Sequence, residues 1–244
     1  MYAAAGWRVD DELADVRHHV DDARHAEAQT RSGARRVLTQ LIRAATWAPS
    51  GSNIQGYQYV VVTDRAKMAE IAKLWNVIAD FYMQMTGDSV PPNSTAEKMR
   101  KLRAALRYQQ EHFHETPALI VFCYDSGPLY DAARANLREI ISATKCLGGR
   151  RILDTMRHVR RTGEMSEAAS VYPGVENLLL AARELGLGAT LTTWHLMFES
   201  EFKKILGIPR RVKTFAVIPV GWPVGRFGPV SRVEPDDVIH RDGW

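Results

Sequence analysis

An α+β fold is what the 244 residues of this chain predict, on three observations. First, Tyr57–Val62 (YQYVVV), Ala118–Tyr124 (ALIVFCY) and Thr214–Val220 (TFAVIPV) are short and dense in β-branched and aromatic residues, the composition of strands. Second, the longer stretches between them repeat their apolar residues at helical spacing. Third, the two kinds of element do not alternate in the regular βαβ rhythm of a doubly wound sheet.

In chain order, Arg36–Ala48 reads as an amphipathic helix with Val37, Leu41, Ala44, Ala45 and Ala48 on one face. Pro49 stops it, because a proline ring disfavours helical geometry in the residue before it. A loop, Ser50–Gly56, leads into the first strand. Arg65–Met85 is helical, Asp88–Thr95 is a proline-containing loop, and Ala96–His114 is a charged helix running into the second strand. Tyr130–Arg161 is mostly helical, with Gly148-Gly149 as its break. Pro173–Leu185 is expected as a separate helix, with proline in its first turn and Gly186 as its left-handed stop. Its stripe of Val175, Leu178, Leu179, Ala182 and Leu185 is widened by Leu180 and Ala181, so it should be buried on most sides. A short strand at Thr190–Thr193, a helix at Ser200–Leu206 and the last core strand precede a Pro/Gly-rich tail, Gly221–Trp244.

Composition excludes several classes of function. The chain is 45% hydrophobic and 25% charged, which argues against wholesale disorder, and no repeat divides it. Its longest apolar run, Ala118–Tyr124, is too short to span a bilayer, and the acidic start lacks the apolar stretch of a signal peptide. Cys123 and Cys146 form no CxxC pair, so the default compartment is a reducing cytoplasm. The net charge of +4 is uneven: Met1–Ala34 carries four Arg against seven acids, leaving +7 on the remainder. A basic body suits anionic ligands, a phosphorylated cofactor among them.

Four motifs carry candidate chemistry. Ser50, Asn53 and Gln55 crowd donors and acceptors onto a turn, the set that a heterocycle with C=O and N–H edges requires, although a turn that satisfies only its own backbone has the same composition. Tyr172-Pro173-Gly174 reads as a helix opening where glycine admits a flat ligand, or as plain punctuation. In Glu184–Ala189 the order is helix then strand, the reverse of a dinucleotide-binding turn; Gly186 is a helix stop, while Gly188 leaves main chain open to a ligand. Arg226 and Arg232, downstream of Val220-Gly221-Trp222-Pro223, could present guanidinium groups to a phosphate, or simply be solvated. Glu111–Glu115 (EHFHE) reads as a charged helix end in preference to a metal site, so no metal is expected. The basic run Arg150–Arg161 reads as a solvated helix or as a lid for the extra phosphate of NADPH. His195 reads as structural, and no nucleophile motif stands out.

AATWAPSGSNIQGYQYVVV, YPGVENLLLAARELGLGATLTTW and LGIPRRVKTFAVIPVGWP followed by RFGPVSR occur in the order and spacing of one family. From Arg36 onward the chain resembles the FMN-dependent nitroreductases. The resemblance implies a mixed, mainly antiparallel sheet flanked by helices, and a homodimer with FMN at its interface. It also implies a ping-pong NAD(P)H oxidoreductase in which hydride passes through the flavin to an electron-poor small molecule, a nitroaromatic or a quinone. It assigns Ser50, Asn53 and Gln55 to the flavin ring and ribityl chain, Pro173 and Gly174 to the neighbourhood of the isoalloxazine, Gly188 to a main-chain hydrogen bond, and Arg226 and Arg232 to the phosphate. No side chain is assigned as an obligatory acid or base, since the cofactor performs the redox step. Gly56-Tyr57 departs from the family's usual Pro-Trp.

Residues 1–34 form an atypical arm, and residues 35–244 the family-like domain. The family's short Arg-Ser-x-Arg-like phosphate grip has HHVDDARHAEAQTRSGA in its place, and Arg31-Ser32 stands too close to Ala48. Two readings are open: a divergent arm, or translation in a shifted frame. Ala23–Gln29 can be encoded GCG CGC CAT GCG GAG GCT CAA, and that choice of codons reads R-A-M-R-R-L one nucleotide later. Two rival functions stand beside the oxidoreductase: a flavin-binding but reductively inactive member, and a basic nucleic-acid-binding module. Of these, nucleic acid is disfavoured because Arg150–Arg161 has no aromatic residue for base stacking.

Overall fold

The computed structural model describes residues 23–87, 89–92, 94–223 and 232–244, with side chains from residue 33. Seven α-helices and four strands are laid out among them: α1 Ala23–Thr46, β1 Tyr57–Val62, α2 Arg65–Thr86, α3 Ala96–His112, β2 Ala118–Tyr124, α4 Gly127–Ala135, α5 Leu137–Thr144, α6 Gly149–Glu184, β3 Gly188–Ala189, α7 Glu199–Leu206 and β4 Lys213–Gly221. The strands form one sheet in the order β1-β2-β4-β3, every pairing antiparallel.

β2 explains the rest of the architecture. All seven of its residues are buried although its neighbours are antiparallel, so both faces of the sheet must be covered. Ile120, Phe122 and Tyr124 point to a core built with Leu41 and Ala45 of α1 and Val171, Val175, Leu178 and Ala182 of α6. Leu119, Val121 and Cys123 point the other way, into a core with Met68, Ile71 and Trp75 of α2, Phe113, and Phe202 of α7. The alternation follows from the two-residue period of a strand. The result is three layers, helices on either side of a central sheet.

Helix ends follow local chemistry. The Asp64 carboxylate accepts from the Lys67 amide at 2.9 Å and opens α2, and the Thr95 hydroxyl accepts from Lys98 N at 3.2 Å to open α3. Gly186 takes φ +72° after α6, and Leu187 N donates back to the Ala182 carbonyl at 2.8 Å, the expected left-handed stop.

Several sequence expectations are corrected. The first helix, expected over Arg36–Ala48, runs from Ala23 to Thr46. α3 ends at His112, and Phe113–Glu115 is a 3-10 turn. The helical stretch before Gly148 is two short helices, α4 and α5. Gly148, at φ +73°, makes the break before α6. The strand expected at Thr190–Thr193 lies at Gly188–Ala189, with Thr192 bridging separately to Val217.

The largest correction concerns Pro173, which does not open a helix. It lies inside α6, a single helix of 36 residues. An interior proline costs about 3 kcal/mol through its missing N–H and its ring. Burying side chains such as Val171, Val175 and Leu178 returns about 1.5–3 kcal/mol each, enough to hold the helix through it.

Candidate functional site

The site grows from the end of α1. Tyr57 Oη donates to the Thr46 carbonyl at 3.2 Å and lies 3.3 Å from Gln55 Oε1, tying the start of β1 back to the last turn of the helix. Between them, Gly51–Asn53 forms a 3-10 turn held by Asn53 N to Ser50 O at 3.0 Å and Ile54 N to Gly51 O at 3.1 Å. Ser52, Asn53 and Gln55 all have positive φ, at 50°, 55° and 53°. None is glycine, and strain of this kind costs on the order of 1 kcal/mol per residue and concentrates at functional sites.

Two side-chain bonds bind the loop to itself. Ser50 Oγ accepts from Gln55 N, and Gln55 Nε2 donates to Asn53 Oδ1, both at 3.1 Å. Ser52, Asn53 and Gln55 remain exposed. The Asn53 amide N–H groups and the serine hydroxyls form a mixed donor and acceptor set, the kind that C=O and N–H edges of a heterocycle require.

α6 forms the wall beside this loop. Gly51 N donates to Ser170 Oγ at 3.1 Å, and Asn177 Nδ2 donates to the Ala44 carbonyl at 3.2 Å. Sequence reasoning gave Gly174 a place where a flat ligand approaches. Here a Cβ at Gly174 would stand 2.8 Å from the Ala45 carbonyl oxygen, so the missing side chain serves the close approach of α1 to α6. The helix-start amides expected at Pro173-Gly174 are not available, because α6 is continuous there. Pro173 itself is half-buried.

Gly188 is different. A Cβ there would make only ordinary contact, 3.5 Å from the Gly221 carbonyl oxygen, so packing does not require glycine. It sits on β3, which ends the order of described strands, and pairs with Gly221 on β4. Arg232 is exposed, while Arg226 lies outside the described residues.

Sequence reasoning missed the polar groups under the loop. Glu167 of α6 is buried, accepting from Ser126 Oγ at 2.6 Å and from Lys213 Nζ at 2.7 Å. Burial alone would lower the Lys213 pKa, but the bond and charge of Glu167 prevail and raise it. Tyr124 packs its ring where a Cβ on Gly56 would fall, 2.7 Å from Tyr124 Cζ. A larger residue at position 56 would have to displace that ring. The Tyr124 phenol is raised by burial first and by the Glu167 charge second, while interaction with Ser170 lowers it. A detectable signal was present: Glu167 and Ser170 are polar residues beside Val171, Gly174, Val175 and Leu178 on the inward stripe of a helix.

Elsewhere, His195 is 3% exposed, and neither ring nitrogen has a hydrogen-bond partner among the described residues. Burial lowers its pKa to about 4, against a smaller raising effect of Glu199. Among the described residues no group of three or more His, Cys, Asp or Glu is placed to hold a metal ion. No helix among them is long and apolar enough to cross a membrane.

An antiparallel sheet between two helical layers, with a strained polar loop docked on the long helix, defines an α+β domain. The nitroreductase family model matches residues 34–222, and the chain belongs to that family. A protein of Methanothermobacter thermautotrophicus with the provisional name NADH dehydrogenase/NAD(P)H nitroreductase is 37% identical over 71 residues, covering 28% of this chain and 37% of its own length. One of the same name from Archaeoglobus fulgidus is 35% identical over 77 residues, covering 28% of this chain and 42% of its own. The matched stretches thus span less than half of these relatives.

Solved structures share the fold. Iodotyrosine deiodinase bound to FMN and 3-iodo-L-tyrosine has a TM-score of 0.54 at 19% identity, over 86% of this chain and 88% of that one. A nitroreductase family protein of Streptococcus pneumoniae TIGR4 has a TM-score of 0.53 at 20% identity, over 84% and 88%.

Proposed function

We propose that the protein is an FMN-dependent NAD(P)H oxidoreductase that reduces electron-poor small molecules, nitroaromatics or quinones, in a ping-pong cycle. The observation that carries this reading is the loop Ser50–Gln55: three left-handed non-glycine residues, an exposed donor and acceptor set, and a fixed seat on α6. Bound FMN supplies the two-electron chemistry. The protein supplies binding, orientation and electrostatics.

In this reading Ser50, Asn53 and Gln55 hold the ring and ribityl chain, with Tyr57 keeping the Gln55 amide in place. Pro173 borders the ring, and Gly174 contributes by letting α1 and the loop after it lie close to α6. Gly188 offers main chain from the sheet edge. Arg226 and Arg232 take the phosphate, the role that residues 1–34 leave without a family-like arginine pair. A depression of about 440 Å³ on α6, lined by His158, Arg161, Thr162, Met165, Ser166 and Ala169, reaches the turn before Ser170. Its Arg161 would receive an anionic group of the nicotinamide donor, in favour of NADPH.

A homodimer with FMN at the interface belongs to the same proposal, as does a cytoplasmic location. Exposed Trp47 on the loop side and exposed Met156, Val159, Met165 and Leu180 along α6 support the dimer, since a second copy would cover them. The atypical arm, whether divergent or frame-shifted, is decided by the coding DNA around Ala23–Gln29. An offset frame without R-A-M-R-R-L ends the frame-shift reading.

The test is direct. Purified full-length protein mixed with FMN should retain a yellow flavin band that NADPH bleaches and a quinone restores. A Arg232→Ala variant should bind FMN about tenfold more weakly through loss of a charge-assisted contact. A chain that cannot be reconstituted with FMN overturns the proposal. One that binds FMN without bleaching is the reductively inactive alternative.

A further inference from the structure

We propose that Ser170 is the positioning residue of the cofactor loop, with Tyr124 as its support, so that one hydroxyl in α6 sets whether Ser50–Gln55 is shaped for a ligand. The inference rests on the reading of that loop as the cofactor site.

The loop is strained at Ser52, Asn53 and Gln55, so something outside it must hold its shape. Most of its hydrogen bonds are local, within Ser50–Tyr57. The bond from Gly51 N to Ser170 Oγ instead joins it to a residue 119 positions away. Ser170 is buried, and its own hydroxyl proton is committed to the Ser166 carbonyl at 3.0 Å. Its lone pairs are therefore left to accept from Gly51 N.

The support is itself held firmly. Tyr124 lies in β2, its ring against Gly56 at the far end of the loop, and Asp125 N donates to the Gly56 carbonyl at 2.8 Å. One turn before Ser170, Glu167 is clamped by Ser126 and Lys213. Both ends of the loop thus refer to the same rigid pair, a turn of α6 and the end of β2.

If only the tethered shape accepts the ligand, the apparent affinity is the intrinsic one scaled by the population of that shape. Removing the tether lowers that population without touching any ligand contact. In the full-length chain, Ser170→Ala should raise the apparent Kd for FMN about threefold to tenfold, measured by quenching of flavin fluorescence. Hydrogen exchange at the Gly51 amide should accelerate by the same order, while the thermal midpoint moves by no more than about 2 °C. Ser170→Thr keeps the hydroxyl and should restore both readouts. Ser170→Cys keeps nearly the same size but accepts a hydrogen bond only weakly, and should shift both in the direction of Ser170→Ala by a smaller factor.

Wild-type Kd and unchanged Gly51 exchange in Ser170→Ala overturn the proposal, as does a raised Kd with unchanged exchange. Should Ser170→Ala lose its fold, Ser170→Cys decides by the same two readouts. A wild-type chain that binds no FMN, but whose Gly51 amide is deprotected by Ser170→Ala, overturns the cofactor reading and leaves the tether standing.

Discussion

Substituting Gly174 by alanine tests whether α1 and α6 are as closely packed as the structure requires. The new Cβ would lie 2.8 Å from the Ala45 carbonyl oxygen, 3.5 Å from its carbon and 3.7 Å from its Cα. Real Cβ contacts do not fall below 3.0 Å, and the neighbour here is backbone in a helix whose Leu41, Ala44 and Ala45 are all buried. It cannot rotate away, so the two helices must separate by several tenths of an ångström. Overpacking of this kind costs about 1–3 kcal/mol, and a rigid backbone neighbour argues for the upper half of that range. Alanine in place of glycine returns about 1 kcal/mol of helix propensity. The net expectation is a loss of about 1–2 kcal/mol, which in a chain of this size lowers the thermal midpoint by about 2–8 °C. Gly163 is the internal control. It lies in the same helix with nothing within 4 Å of its virtual Cβ, so Gly163→Ala should stabilise by about 0.5–1 kcal/mol. Urea and thermal denaturation of the two variants read the difference. A Gly174→Ala midpoint equal to or above wild type would refute the packing argument and return Gly174 to a role in ligand approach alone.

Three further outcomes follow from buried polar groups. His195 titrates near 4 in the fold against 6.5 in an open chain, so the unfolded state binds more protons between those values and stability falls as pH drops from about 6.5 to 4. The loss is about 3 kcal/mol at most, and His195→Phe should flatten that part of the urea-midpoint profile; a profile identical to wild type would count against it. Lys213→Met removes the partner of the buried Glu167 carboxylate and, since Lys213 is itself partly exposed, should cost about 1–3 kcal/mol, whereas Lys213→Met with Glu167→Leu should recover much of it in the same denaturation assay. Burial pushes the Cys123 thiol up to about 12, while Cys146 is exposed, so a thiol-reactive dye should label one cysteine per native chain and two after unfolding.

Two strands were legible residue for residue, Tyr57–Val62 as β1 and Ala118–Tyr124 as β2. β2 is covered on both faces and is an unbroken apolar run, whereas β1 exposes Gln58 and Val61 and is marked by its β-branched and aromatic residues. β3 was displaced because it is only two residues long and is defined by its pairing to Gly221 and Val220, a long-range contact that no local pattern records. Pro173 misled for a related reason. Propensity places proline at a helix start, and the tertiary burial that carries α6 through it involves β2, β4 and α1, all distant in sequence.

The site divides along the same line. Ser50, Asn53 and Gln55 could be singled out because polar residues packed onto a turn leave a local signature. What holds them could not, since Ser170 lies 119 positions from Gly51 and Tyr124 lies 68 from Gly56, and only the fold brings them together. Gly56 makes the coupling concrete. As a sequence feature it was only a departure from the family's Pro; in the fold it is the position that the Tyr124 ring fills, with any added Cβ 2.7 Å from that ring. Restoring the family residue should therefore damage the loop, and Gly56→Ala, which adds only the Cβ, should shift it in the same direction. FMN affinity and thermal midpoint measure both variants. A single Gly56→Pro chain that matches wild type in both would show that the Tyr124 ring does not define the floor of the site.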